Sequence, residues 1–146
     1  MVQLKKILVA YDGSPHSKEA LNWAIDLSLL SGAEVAAVKV FDASGLYTTL
    51  EAGVASVMKM LEEMHQEDLR LMDDVVAVGQ NRGVKVAGEI IQGNVAGGII
   101  SYAKQNNVDL IIAGTKGHGD LEALLMGSVT RNLVSLAHVP VLVVKD

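Results

Sequence analysis

Val108-Asp109-Leu110-Ile111-Ile112-Ala113, running straight into Gly114-Thr115-Lys116-Gly117, is the stretch that decides how this chain is read. Its first six residues form a short apolar run rich in branched side chains, the composition expected of a strand buried on both faces of a parallel sheet. Gly114 and Gly117 then admit backbone conformations that residues with a Cβ avoid, and they leave room for a ligand against the main chain. Further on, Gly127-Ser128-Val129-Thr130 opens a pattern with Leu133, Leu136 and Ala137 at helical spacing. A helix starting there points unpaired N–H groups and the positive end of its dipole into the loop, where an anion binds without a lysine. Strand, glycine loop and helix start together point to a phosphate cradle.

Two other glycine motifs do not fit. Gly114 and Gly119 have the spacing of the first two glycines of a P-loop, but Asp120-Leu121 stands where Lys and Ser or Thr would meet phosphate and magnesium. Gly117 and Gly119 begin a dinucleotide fingerprint, yet Glu122 occupies its third glycine position. For the glycines taken alone, an ordinary strand-to-helix loop with a glycine cap remains the plainer alternative.

Outward from this stretch the chain alternates strands and helices. Lys6 to Tyr11 reads as a buried strand before the turn signal Asp12-Gly13-Ser14-Pro15. Ser14 is a good N-cap, with Pro15 as first helical residue, and Ala20, Leu21, Ala24, Ile25, Leu27 and Leu29 continue at helical spacing to Gly32. Ala33 to Phe41 is a second strand. A long helix carries Val54, Met58, Leu61, Leu69, Met72 and Val76 on its apolar face and stops at Gly83. Val84 to Ile91 is a third strand, and Asn94 to Asn106 a third helix despite Gly97-Gly98, each of which costs it roughly 1 kcal/mol relative to alanine. The sequence offers no account of that pair. Val108 to Ala113 is the fourth strand, a fourth helix follows Gly127, and Val139 to Val144 is the fifth strand. Such alternation implies an α/β, doubly wound sandwich, a parallel sheet with helices on both faces. Ligands in such sheets sit beyond the carboxyl ends of the strands where the chain order reverses, which would bring Tyr11-Asp12-Gly13 opposite Gly114 to Ser128. Ala43 to Gly53 reads as a mobile loop over that site.

Composition narrows the function. The 146 residues, half of them apolar, suit one domain, 1–146, with a substantial core. The net charge is -5 and no basic cluster exceeds Lys5-Lys6, which speaks against nucleic-acid binding. The absence of cysteine removes disulfides, thiol catalysis and cysteine metal sites. No apolar run approaches a membrane span and Met1 to Lys6 is too short for a signal peptide, so a cytoplasmic chain is expected.

The spacing Gly-x2-Gly-x9-Gly-Ser, carried by Gly114, Gly117, Gly127 and Ser128, resembles the nucleotide-binding signature of the universal stress protein family. The resemblance spans nearly the whole chain, through Ile7-Leu8-Val9-Ala10-Tyr11-Asp12-Gly13-Ser14, Val108 to Gly114, and Val139-Pro140-Val141-Leu142-Val143-Val144. It implies a five-stranded sheet of order 3-2-1-4-5 and a homodimer pairing through the last strand, Val139 to Val144. It also implies a site for ATP, or AMP or ADP, since the complete signature marks the nucleotide-holding members. By that resemblance Asp12 would accept from the ribose hydroxyls or lie near the adenine, with Ala10 and Tyr11 supplying backbone and wall. Val40 would offer backbone groups to the adenine edge. Ala113 would line the site, and Gly114 and Gly117 would pass under ribose and α-phosphate. Gly127, Ser128, Val129 and Thr130 would give N–H and hydroxyl groups to the phosphates. Mg or Mn could bridge those phosphates, although no carboxylate stands out as a dedicated ligand.

Plainer roles stand beside these. Asp12 before Gly13 can be a turn aspartate, and Ser128 and Thr130 can simply cap a helix. Lys116, His118 and Arg131 can be ordinary surface residues. His16, His65 and His138 lack metal spacing, Glu62-Glu63 and Asp73-Asp74 point in different directions on a helix, and Met58, Met60, Met64 and Met72 suit a core or an interface. With no general base in view, the chain reads as a regulatory holder of adenine nucleotide. A slow ATPase or another adenine-nucleotide-using enzyme is the alternative, and a partner-binding module without nucleotide is a third reading.

Overall fold

Ile7, Leu8 and Val9 are wholly buried, which is possible only for a strand covered on both faces and flanked on both edges. That strand, β1 (Lys6–Ala10), is the middle of a five-stranded sheet in the order β3-β2-β1-β4-β5. The computed structural model describes residues 1–46, 53–115 and 126–145. The other strands are β2 (Glu34–Phe41), β3 (Val86–Gln92), β4 (Leu110–Gly114) and β5 (Val141–Val144), and every pairing is parallel. The helices are α1 (Pro15–Ser31), α2 (Val54–Asn81), α3 (Val95–Gln105) and α4 (Ser128–Leu136). The expected order and alternation hold, with strand limits shifted by one or two residues. Asp109, expected inside the fourth strand, lies before it, where its Oδ2 accepts from the N–H groups of Lys5 and Lys6 and ties the starts of β1 and β4 together.

One core layer joins α1 and α2 to the sheet through Leu21, Ile25, Met72 and Val75. The other joins α3 and α4 through Ala96, Ile99, Ala103 and Leu133. α1 begins as its sequence dictates, with Ser14 Oγ accepting from Ser17 N at 3.2 Å and Pro15 in the first turn. The Gly97-Gly98 pair finds its reason in packing. Asn94 caps α3 by accepting from Gly97 N at 2.9 Å, and a Cβ on Gly98 would stand 3.2 Å from Ile91 and Val40 side-chain carbons. The helix therefore lies close against the ends of β2 and β3.

The face of α2 is a correction. Its buried residues are Val57, Asp68, Met72, Val75 and Gly79, while Val54, Met58 and Leu69 are exposed. Two residues that an apolar count discards set the rotation. Gly79 lets the helix approach β3, since a Cβ there would meet Val84 O at 2.6 Å, and Asp68 turns inward to face Lys39 Nζ at 3.8 Å. Of the methionines, Met72 is core, whereas Met58 and Met60 are exposed. On α4, Leu133 is buried but Leu136 is exposed. Of the loop expected over the site, Ser44–Leu46 form one tight helical turn, and 47–52 lie outside the described residues.

Candidate functional site

The strand order reverses between β1 and β4, and α1 and α4, which follow them in the chain, lie on opposite faces and leave a crevice. A cavity of about 350 Å³ fills it, lined by Ala10, Tyr11, Asp12, Val38, Lys39, Val40, Val95, Ile99, Ala113, Gly114, Gly127, Ser128, Val129, Thr130 and Ser17. The volume lies in the range of about 300–1,000 Å³ usual for small-ligand sites. Ten of the expected site residues, Ala10, Tyr11, Asp12, Val40, Ala113, Gly114, Gly127, Ser128, Val129 and Thr130, are among these walls. Gly117, Lys116 and His118 lie outside the described residues, and Arg131 is exposed and outside the lining.

The floor at β4 is built by two hydrogen bonds that pin α4 to the strand. Gly127 N donates to Thr115 O at 2.8 Å, and Thr130 Oγ1 donates to Gly114 O at 2.7 Å. Thr130 is buried, and its hydroxyl proton is therefore directed to the strand and not to the cavity. The first intrahelical bond of α4 runs from Arg131 N to Gly127 O. Among the described residues nothing accepts from the N–H groups of Ser128, Val129 and Thr130, which form the first turn and line the cavity. Three donors and the helix dipole thus converge on one end of the site.

Gly114 is glycine for a packing reason. A Cβ there would stand 2.5 Å from His16 Cβ and 2.8 Å from the His16 carbonyl carbon, so β4 and the first turn of α1 meet backbone to backbone. His16 is a half-buried helix-end residue whose Nδ1 has no hydrogen-bond partner among the described residues.

On the β1 side, Asp12 Oδ1 accepts from Ser14 N at 2.9 Å, the local turn bond that sequence statistics favour, while its residue also lines the cavity. Tyr11 N donates to Val38 O at 3.0 Å, which carries the β1 to β2 pairing past the strand end. Burial, helped by the charges of Asp74 and Asp12, raises the Tyr11 phenol above its ordinary value and keeps it neutral. The far wall is apolar, formed by Val38 and Val40 of β2 with Val95 and Ile99 of α3. Val40 O accepts from Lys39 Nζ at 3.2 Å.

Ser17, Val38, Lys39, Val95 and Ile99 also line the cavity, although sequence reasoning did not single them out. Val38 could have been found from strand alternation with Val40. Val95 and Ile99 come from α3, whose close approach depends on Gly98. Among the described residues no group of three or more His, Asp or Glu is placed to hold a metal ion, and no helix is long and apolar enough to cross a membrane.

The universal stress protein family model matches residues 3–145. Universal stress protein MJ0531 of Methanocaldococcus jannaschii is 37% identical over 142 residues, covering 97% of this chain and 82% of that one. The solved structure of MJ0577, from the same organism, superposes with a TM-score of 0.85 at 30% identity over 99% of this chain and 98% of that one. A universal stress protein of Archaeoglobus fulgidus in complex with dAMP shares the fold, with a TM-score of 0.65 at 16% identity and 98% coverage of both chains. On the match across nearly its whole length and on these relatives, the chain belongs to the universal stress protein family.

Proposed function

We propose that this protein holds an adenine nucleotide, ATP in the first place, in the crevice between β1 and β4, and that it acts as a regulatory holder. The observation that carries this reading is the first turn of α4, whose Ser128, Val129 and Thr130 line a cavity with an apolar wall opposite and whose N–H groups have no acceptor among the described residues. Phosphates suit the helix start, and a flat base suits the gap between Val38, Val40, Val95 and Ile99. Asp12, which also lines the cavity, would accept from the ribose hydroxyls. The dAMP complex of the Archaeoglobus fulgidus relative supports an adenine ligand in this fold. A divalent ion, Mg or Mn, would be carried by the phosphates, since the described residues offer no metal cluster and the reading needs none.

Acid extraction of the purified protein, followed by identification of any released nucleotide, tests the reading together with calorimetric titration of ATP in magnesium. Adenine nucleotide in the extract or saturable ATP binding is expected. Neither in a folded protein would sink it. Gly127→Val should remove binding by filling the space before the helix start while leaving the fold intact. ADP release by the wild type is a separate measurement, and turnover at enzymatic rates abolished by Gly127→Val would favour a slow ATPase. We also propose that two copies pair through β5, an edge strand at which Val141, Leu142 and Val143 are only half-buried. Light scattering on the intact chain checks this, and a monomer at all concentrations would refute it.

A further inference from the structure

β3 is the other edge of the sheet, and among the described residues no strand pairs with its outer side. An open edge of seven residues offers unpaired N–H and C=O groups that soluble proteins usually cover or obstruct. Two of the usual obstructions, proline and a bulge, are missing here. Val86-Ala87-Gly88-Glu89-Ile90-Ile91-Gln92 contains no proline, and its register on β2 is unbroken from Val86 to Gln92, so no bulge turns it away. On one face α2 packs over it, with Met72 and Val75 seated on Gly88, and beside them Leu69 is 41% exposed and Val76 half-buried. On the other face Ala87 and Glu89 are exposed, and the Tyr102 phenol of α3 lies near enough to Glu89 to feel its charge. Lys85, also exposed, is the residue just before β3, and carrying the strand alternation back by that one residue puts it on the same face.

Two such edges can meet about a two-fold axis normal to the sheet, which runs the strands antiparallel and keeps like faces together. The residue on the axis then fixes every other pairing. With Glu89 on the axis, two carboxylates face each other. With Gly88 there, Glu89 faces Ala87, Lys85 faces Ile91, and no charge is matched. With Ala87 there, Lys85 of each copy faces Glu89 of the other, twice over, and Val86 faces Gly88. Opposite charges directly across an antiparallel pair stabilise it, and like charges oppose it. We propose that the β3 edge is a self-association surface, at which a second copy of this chain pairs antiparallel with Ala87 on the axis and two Lys85–Glu89 ion pairs setting the register. The α2 helices of the two copies then lie on one face, each bringing Leu69 and Val76 toward the other. This contact is distinct from pairing through β5 and does not depend on the cavity's ligand.

The chain has no cysteine, so one introduced thiol reports a single contact. Residues facing each other across an antiparallel pair have Cα atoms about 4.5–5.5 Å apart, inside the range a disulfide spans. Ala87→Cys should therefore form a covalent dimer under mild oxidation about tenfold or more faster than Gln92→Cys, which is on the same exposed strand but off the axis, because only the first is held at high effective concentration. Adding Glu89→Lys to Ala87→Cys should slow cross-linking back toward the Gln92→Cys rate, and adding Lys85→Glu to that pair should restore it. Circular dichroism on each variant establishes that all are folded. Equal rates for Ala87→Cys and Gln92→Cys overturn the proposal. So does indifference to Glu89→Lys, or failure of the double swap to restore the rate in folded protein.

Discussion

Replacing Gly114 with alanine should destabilise the protein without any ligand present, because the added Cβ would meet backbone and not a movable side-chain tip. The contacts are 2.5 Å to His16 Cβ, 2.8 Å to its carbonyl carbon and 2.9 Å to its carbonyl oxygen. Carbon atoms rest at about 3.5–4.0 Å, so β4 and the first turn of α1 must separate by about 1 Å. Both are locked: β4 pairs with β1 and β5 on its two sides, and α1 is capped by Ser14. Overpacking of this kind costs about 1–3 kcal/mol, and fixed backbone on both sides places Gly114→Ala near 3 kcal/mol. For a chain of this size that is a drop in Tm of about 10 °C. Thermal unfolding followed by circular dichroism, in nucleotide-free buffer, isolates this effect from any loss of ligand. His16→Ala should not rescue it, because alanine keeps the Cβ and the carbonyl that make the contacts. A Tm within about 2 °C of wild type would refute the close approach, and rescue by His16→Ala would refute its assignment to Cβ and backbone.

Thr130→Val should cost about 1–3 kcal/mol in urea unfolding, since it deletes a buried hydroxyl donor and leaves Gly114 O without it, and an unchanged midpoint would show that the bond contributes nothing. Gly98→Ala gains about 1 kcal/mol of helix propensity but crowds Val40 and Ile91, so stability should stay within about 1 kcal/mol of wild type while nucleotide affinity falls, because Val40 is a cavity wall; unaltered affinity in calorimetry would detach Val40 from the site. Burial, with a hydrogen bond to Glu89 and its charge adding to it, raises the Tyr102 phenol above its ordinary value. The unfolded chain then loses this proton first, so folding stability falls as pH rises above about 10, and Glu89→Gln should bring the Tyr102 absorbance titration part of the way back toward the ordinary value.

Much of the fold was legible because its signals are local. Ile7 to Ala10 and Leu110 to Ala113 could only be buried strands, Ser14-Pro15 could only start a helix, and the alternation of elements fixed the parallel sheet and the place of its reversal. The first turn of α4 was visible for the same reason. Features that depend on distant partners were not. Asp68 reads as a solvent-facing acid until Lys39 is found opposite it, and Gly79 reads as a flaw in a helix until β3 is seen beneath it. The apolar face of α2 was misplaced by those two residues, since counting apolar side chains ignores a glycine that makes contact and an acid that turns inward.

Gly114 shows how far a motif and its physical cause can diverge. Read in the sequence, it makes room for a ligand; in the fold, its missing Cβ first makes room for His16, on the side of the strand away from α4. Its carbonyl in turn receives the Thr130 hydroxyl, which fixes the first turn of α4, whose Ser128, Val129 and Thr130 line the cavity. One residue thus sets the distance of α1 from β4 and the orientation of α4 on it. At Gly114, therefore, the missing side chain is a packing requirement whatever the site holds, and a larger residue there would displace both helices that frame the crevice. Gly98 acts in the same way at the opposite wall, where it sets how near α3 brings Val95 and Ile99 to Val40. The width of the slot proposed for the base is then a consequence of one absent methyl group, and the pair of glycines that looked like a defect in α3 belongs to the construction of the site.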